Sequence, residues 1–112
     1  MDDCAVRAVS KAFDVDWDTA FDMLAASGKA IGDLQNSNAA IDVLFRTHGF
    51  DRGIIPNTCP FCYTARDFCQ DNPYGVYVLG FGNHVATIVD GDIYDSWDSS
   101  SMVPIYFYRK GK

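Results

Sequence analysis

One dipeptide constrains this chain more than any other: Asp90-Gly91, set between two runs of strand-like composition. His84-Val85-Ala86-Thr87-Ile88-Val89 precedes it, and Ile93-Tyr94-Asp95-Ser96-Trp97 follows. An Asp-Gly pair flanked this way favours the two-residue hairpin turn, whose central positions need φ > 0. That turn sets the register: Val89 opposes Asp92, Ala86 opposes Asp95 and His84 opposes Trp97. Residues two apart share a face, so His84, Ala86, Ile88, Ile93, Asp95 and Trp97 project to one side. His84 and Asp95 become diagonal neighbours about 5–8 Å apart at Cβ, a gap that a hydrogen bond between their side chains can close. Asp98 has the opposite parity, and Asp90 and Asp92 sit at the turn. Asp95 is the carboxylate that reaches His84.

The rest divides into a helical half and a stranded half. Apolar spacing predicts a helix from about Cys4 to Phe13, with Asp3 as N-cap and Val6, Val9 and Phe13 on one face. A second runs from about Trp17 to Ala26, capped by Asp16 and stopped by Gly28. A third, capped by Asn36 or Ser37, carries the stripe Ile41, Leu44, Phe45, His48 and ends at Gly49. A loop with Pro56, Asn57 and Pro60 leads to a short helix near Thr64 to Gln70. Strands are predicted over Val76–Phe81, His84–Val89, Asp92–Trp97 and Val103–Tyr108. Helices first and strands after define an α+β chain, N-terminal helices packed on a C-terminal antiparallel sheet of about four strands. At 112 residues it makes one domain, 1–112.

A formal charge of −6, with six scattered basic residues and three more at Arg109-Lys110-Gly111-Lys112, disfavours nucleic acid, and none is expected as a partner. No apolar run reaches the length of a membrane span, and acid stands where a signal peptide needs base. No membrane partner and a cytoplasmic setting are therefore expected. In that setting the four cysteines are expected as thiols rather than disulfides.

Cys4 opens the first helix. A thiol held at a helix N-terminus beside an imidazole is stabilised as the thiolate. The imidazole in turn needs one fixed tautomer, which a carboxylate imposes. Cys4, His84 and Asp95 therefore fit nucleophilic hydrolysis as nucleophile, general base and orienter. Asp2 and Asp3 work against this by placing negative charge near the thiol.

These residues recur in a wider pattern. Asp3-Cys4-Ala5-Val6-Arg7-Ala8, then Asp16-Trp17-Asp18, then Tyr74-Gly75-Val76-Tyr77-Val78-Leu79 leading to Asn83-His84-Val85, then Asp90 to Asp98 all contribute. Together they resemble a family of small papain-like cysteine peptidase domains found in bacteria and their phages. The resemblance covers most of the chain and is weakest over 27–63. It implies a papain-like fold and a peptidase, isopeptidase or amidase that needs no cofactor and acts on a peptide or protein substrate. It assigns catalysis to Cys4, His84 and Asp95. Papain-like enzymes usually carry a glutamine shortly before the nucleophile as half of the oxyanion hole, whereas Met1, Asp2 and Asp3 precede Cys4 here. The Cys4 backbone N–H can supply one donor, and Asn83 or Gln35 a second. The missing glutamine leaves an inactive papain-like binding module as the alternative.

Thr58-Cys59-Pro60-Phe61-Cys62 resembles the CPxC turn of glutaredoxins, which makes a thiol redox protein the third alternative. Too few residues follow it to complete such a fold, and no Thr-Val-Pro segment occurs. A zinc site from Cys59, Cys62, Cys69 and His48 departs from the paired knuckles of structural zinc, so no metal is expected. Cys69 is expected to pack beside Phe68, and His48 to meet the last carbonyls of its helix.

Overall fold

The hairpin forms as its dipeptide requires. Asp90 and Gly91 have φ of 51° and 82°, and Val89 pairs with Asp92, Ile88 with Ile93 and Thr87 with Tyr94. Gly75 pins the turn: its carbonyl accepts the Asp90 N–H and its N–H donates to Asp90 Oδ1, both at 2.9 Å.

The structure, a computed structural model, describes residues 4–32, 38–56, 61–81, 84–95 and 98–110. The helices are α1 (Cys4–Phe13), α2 (Trp17–Ile31), α3 (Asn38–Thr47) and α4 (Ala65–Asp71). The strands are β1 (Phe50–Ile54), β2 (Val76–Gly80), β3 (Val85–Val89), β4 (Asp92–Tyr94) and β5 (Tyr106–Lys110). They form one sheet in the order β1-β5-β2-β3-β4, antiparallel throughout. The class is α+β, with five strands where about four were expected.

The helices sort onto the two faces of the sheet by parity. Val78, Val85, Tyr106, Tyr108 and Phe50 join the buried residues of α1, α2 and α3 in one cluster. Leu79 and Ile88 point the other way and pack with Ala65 and Phe68 of α4. Buried Ala5, Ala8 and Ala12 give α1 a narrow face that can lie close to β3. Thr87 fixes that contact, its fully buried hydroxyl donating to the Ala8 carbonyl at 2.7 Å. A buried hydroxyl without such a partner costs about 1–3 kcal/mol, so the bond sets where α1 crosses β3.

Three local expectations change. α2 runs through Gly28, which is buried, and ends at Gly32 with φ 71°, whose N–H meets the Gly28 and Lys29 carbonyls. Packing outweighs the helix penalty of glycine there, since the neighbouring Ser27 hydroxyl donates to the Ala40 carbonyl of α3 at 2.7 Å. Asp16 caps α2 as expected, accepting the Thr19 N–H at 2.8 Å. β1 occupies a stretch to which no strand is assigned from sequence, and Asp51 and Gly53 are poor strand formers. It forms because β5 pairs along its length, from Phe50↔Lys110 to Ile54↔Tyr106. β5 itself starts after Pro104, which has no N–H to give a ladder.

Gly80 is where the sheet is least tolerant. It pairs with Tyr106, and a Cβ built on it would fall 2.0 Å from the phenol ring. Gly80→Ala should therefore lower stability by about 1–3 kcal/mol through overpacking, seen as a lower urea midpoint at unchanged m-value. An unchanged midpoint would mean that the ring is not seated over Gly80.

Candidate active site

His84 stands one residue before β3, where Phe81 N–H donates to its carbonyl at 2.8 Å and closes the β2–β3 hairpin. Asp95 stands one residue after β4. The β3–β4 register makes them diagonal neighbours, and His84 Nε2 lies 2.6 Å from Asp95 Oδ2. Their side chains are only 7% and 3% exposed. The Phe81 ring stacks on the imidazole at 5.9 Å and 29°. The ring is thus held on one edge by a carboxylate and on one face by an aromatic, which fixes its orientation.

Cys4 is the first residue of α1, half-buried against the larger core cluster, and it carries a thiol. Tyr106 belongs to the same cluster, and its phenol ionises less readily than usual chiefly because it is buried; Arg52 opposes this, while Cys4 and Asp42 reinforce it. Tyr106 pairs with Gly80, and Gly80 with Val85, the residue after His84. The structure therefore joins His84 to Asp95 at the end of the sheet where β3 begins, and packs Cys4 against the core cluster that includes Val85 and Tyr106.

Two cavities flank this end. One, of about 290 Å³, is lined by Arg7, Lys11, Ile93, Tyr94 and Asp95, with Lys11 Nζ 3.8 Å over the Tyr94 ring. The other, of about 350 Å³, lies between α3 and the β1–β5 edge and includes Arg52 and Tyr106. Sequence reasoning did not single out Phe81, Tyr106 or Arg52. Tyr106 had a usable signal: it alternates with Tyr108 on the last strand and shares its face.

The remaining sequence-based sites fare differently. Asn83, Gln35 and Cys59 lie outside the described residues. Cys62 is disulfide-bonded, which corrects the expectation of thiols throughout. That expectation rested on compartment alone, which bears on whether a disulfide persists and not on which cysteines the fold brings together. Cys69 keeps its thiol and packs half-buried with the α4 cluster; burial, then Asp92, pushes its ionisation up. His48 Nδ1–H donates to the Leu44 carbonyl at 2.8 Å, as expected for the end of its helix. Its ring meets Phe13 on the α1 side of the sheet, so it and Cys69 sit on opposite faces and do not share a zinc site. No helix among the described residues is long and apolar enough to cross a membrane.

No family model, no curated protein and no solved structure matches the chain.

Proposed function

We propose that this chain is a cysteine-dependent hydrolase acting in the cytoplasm on a peptide, isopeptide or amide bond of a peptide or protein substrate. The observation that carries this reading is the buried 2.6 Å contact between His84 Nε2 and Asp95 Oδ2; Arg7, one helical turn after Cys4, lines a cavity beside Asp95 and supports it. With Nε2–H donated to Asp95, Nδ1 is the nitrogen that serves the thiol. It takes the Sγ proton as sulfur attacks the substrate carbonyl carbon and the C–S bond forms. The Cys4 N–H, in the first turn of α1 and so without an intrahelical acceptor, can donate to the developing oxyanion. The C–N bond then breaks as His84 returns the proton to the departing amine. Water attacks the thioester next, His84 accepting its proton, and acid and thiol are released. The resemblance to small papain-like peptidases supports the same assignment.

Limited iodoacetamide at pH 7 on the reduced chain, read by mass spectrometry, tests the activation of the thiol. Cys4 should be modified ahead of Cys69, whose buried thiol ionises less readily. Earlier labelling of Cys69 would leave Cys4 an ordinary thiol. First labelling of Cys59 would instead favour the redox reading, in which the first thiol of the Cys59-Pro60-Phe61-Cys62 turn is the reactive one and which the Cys62 disulfide supports. An inactive binding module would label at Cys4 yet fail to turn over an activated thioester.

A further inference from the structure

The cavity between α3 and the β1–β5 edge is lined by Ala39, Asp42, Arg46, Arg52, Tyr106 and Tyr108. Its hydrogen-bonding capacity is lopsided. Among the described residues Asp42 is its one carboxylate, and Oδ1 already accepts from Arg46 Nε at 2.9 Å and from the Tyr108 hydroxyl at 2.8 Å, with Arg52 Nε at 3.8 Å. Each guanidinium has about five N–H donors, so most of the donors of Arg46 and Arg52 exceed what Asp42 can take. The Tyr106 hydroxyl meets no hydrogen-bond partner among the described residues, and its ring carries the Arg52 guanidinium 4.8 Å above it. A guanidinium is itself planar and presents its donors as a fork that matches a planar anion. Among the described residues that line it, two cations stand against one anion, in a chain of net charge −6.

Its place in the sheet says which part of a substrate it meets. Arg52, Tyr106 and Tyr108 stand on β1 and β5, and the His84–Asp95 pair stands at β3 and β4, at the other side of the sheet. Cys4 packs against the core cluster that holds Tyr106 and Tyr108, on the face of the sheet where this cavity lies. In the hydrolysis described above His84 protonates the leaving group, so the leaving group faces β3–β4 and the acyl part faces β1–β5.

We propose that this cavity is the acyl-side subsite and selects substrates whose acyl part bears a carboxylate, seated between the Arg52 guanidinium and the Tyr106 hydroxyl. The assignment rests on the cysteine-hydrolase function of the preceding section. A carboxylate answers the surplus of donors, matches the planar guanidinium and is the anion that peptides themselves carry.

The test compares acylation of Cys4 by 4-nitrophenyl hydrogen glutarate and by its neutral methyl ester, following nitrophenol release and the intact mass of the chain. The full chain should prefer the free carboxylate by about tenfold, equivalent to about 1.4 kcal/mol. Raising ionic strength should narrow the ratio, because the attraction is between charges. Arg52→Gln should bring the ratio close to one, and Tyr106→Phe should lower it by about threefold, the scale of a single lost hydrogen bond. No preference in the full chain, or an undiminished preference in Arg52→Gln, overturns the subsite. Both esters acylating Cys4 equally well would do so while leaving the hydrolase function standing. Failure of both esters to acylate Cys4 overturns the hydrolase function itself and the subsite with it.

Discussion

His84→Ala should lower turnover of an activated thioester by about 10³-fold, within the usual range for losing a positioned general acid–base. The alkylation of Cys4 should respond differently. An ordinary thiol is only about 3% thiolate at pH 7, whereas a thiol paired with an imidazole is largely ionised there. Removing the imidazole therefore cuts the thiolate population steeply. The more basic thiolate that remains is the better nucleophile, with a Brønsted slope of about 0.4–0.5, and this offsets much of the loss. Iodoacetamide at neutral pH should thus slow only several-fold, while the midpoint of its pH–rate profile rises toward about 8.5. The two readouts separate the roles of His84: the midpoint reports stabilisation of the thiolate, and turnover adds proton transfer to the leaving group. A midpoint that stays where it is in the wild-type chain would show that Cys4 and His84 are uncoupled.

Why this pair was legible in sequence, and its surroundings were not, follows from the range of the interactions. Asp90-Gly91 dictates φ > 0 at both turn positions, and the pairing it starts is local, so parity carried from Val89↔Asp92 to His84 and Asp95 without tertiary information. α1 was equally plain, because its apolar spacing and its stop after Phe13 lie within one segment. β1 was not, since Phe50–Ile54 has weak strand preference and forms on β5, more than fifty residues away. The same long-range pairing brings Arg52 over Tyr106 and Tyr106 over Gly80. Every residue of the acyl-side cavity is therefore set by β1, β5 and α3 meeting, which no local pattern encodes. Gly28 shows the reverse case, a local stop signal that the packing of α2 on α3 overrides.

Stability should respond to the same pair more sharply than to any other surface or loop change. His84 and Asp95 are bonded at 2.6 Å with side chains 7% and 3% exposed, so deleting one leaves the other desolvated. His84→Ala strands a buried carboxylate, and breaking a buried ion pair this way costs about 3–5 kcal/mol, a large part of the roughly 5–15 kcal/mol that holds a domain of this size. Asp95→Asn keeps the shape and a hydrogen-bonding group, and should be milder. The double variant His84→Ala/Asp95→Ala leaves a cavity but no stranded charge, so it should be more stable than the sum of the two alanine variants by about 2–3 kcal/mol. Urea titration of the four proteins measures that coupling directly. Additive losses would mean that histidine and aspartate sit side by side without acting as a unit, and Asp95 would then have no hold on the imidazole through which to orient it.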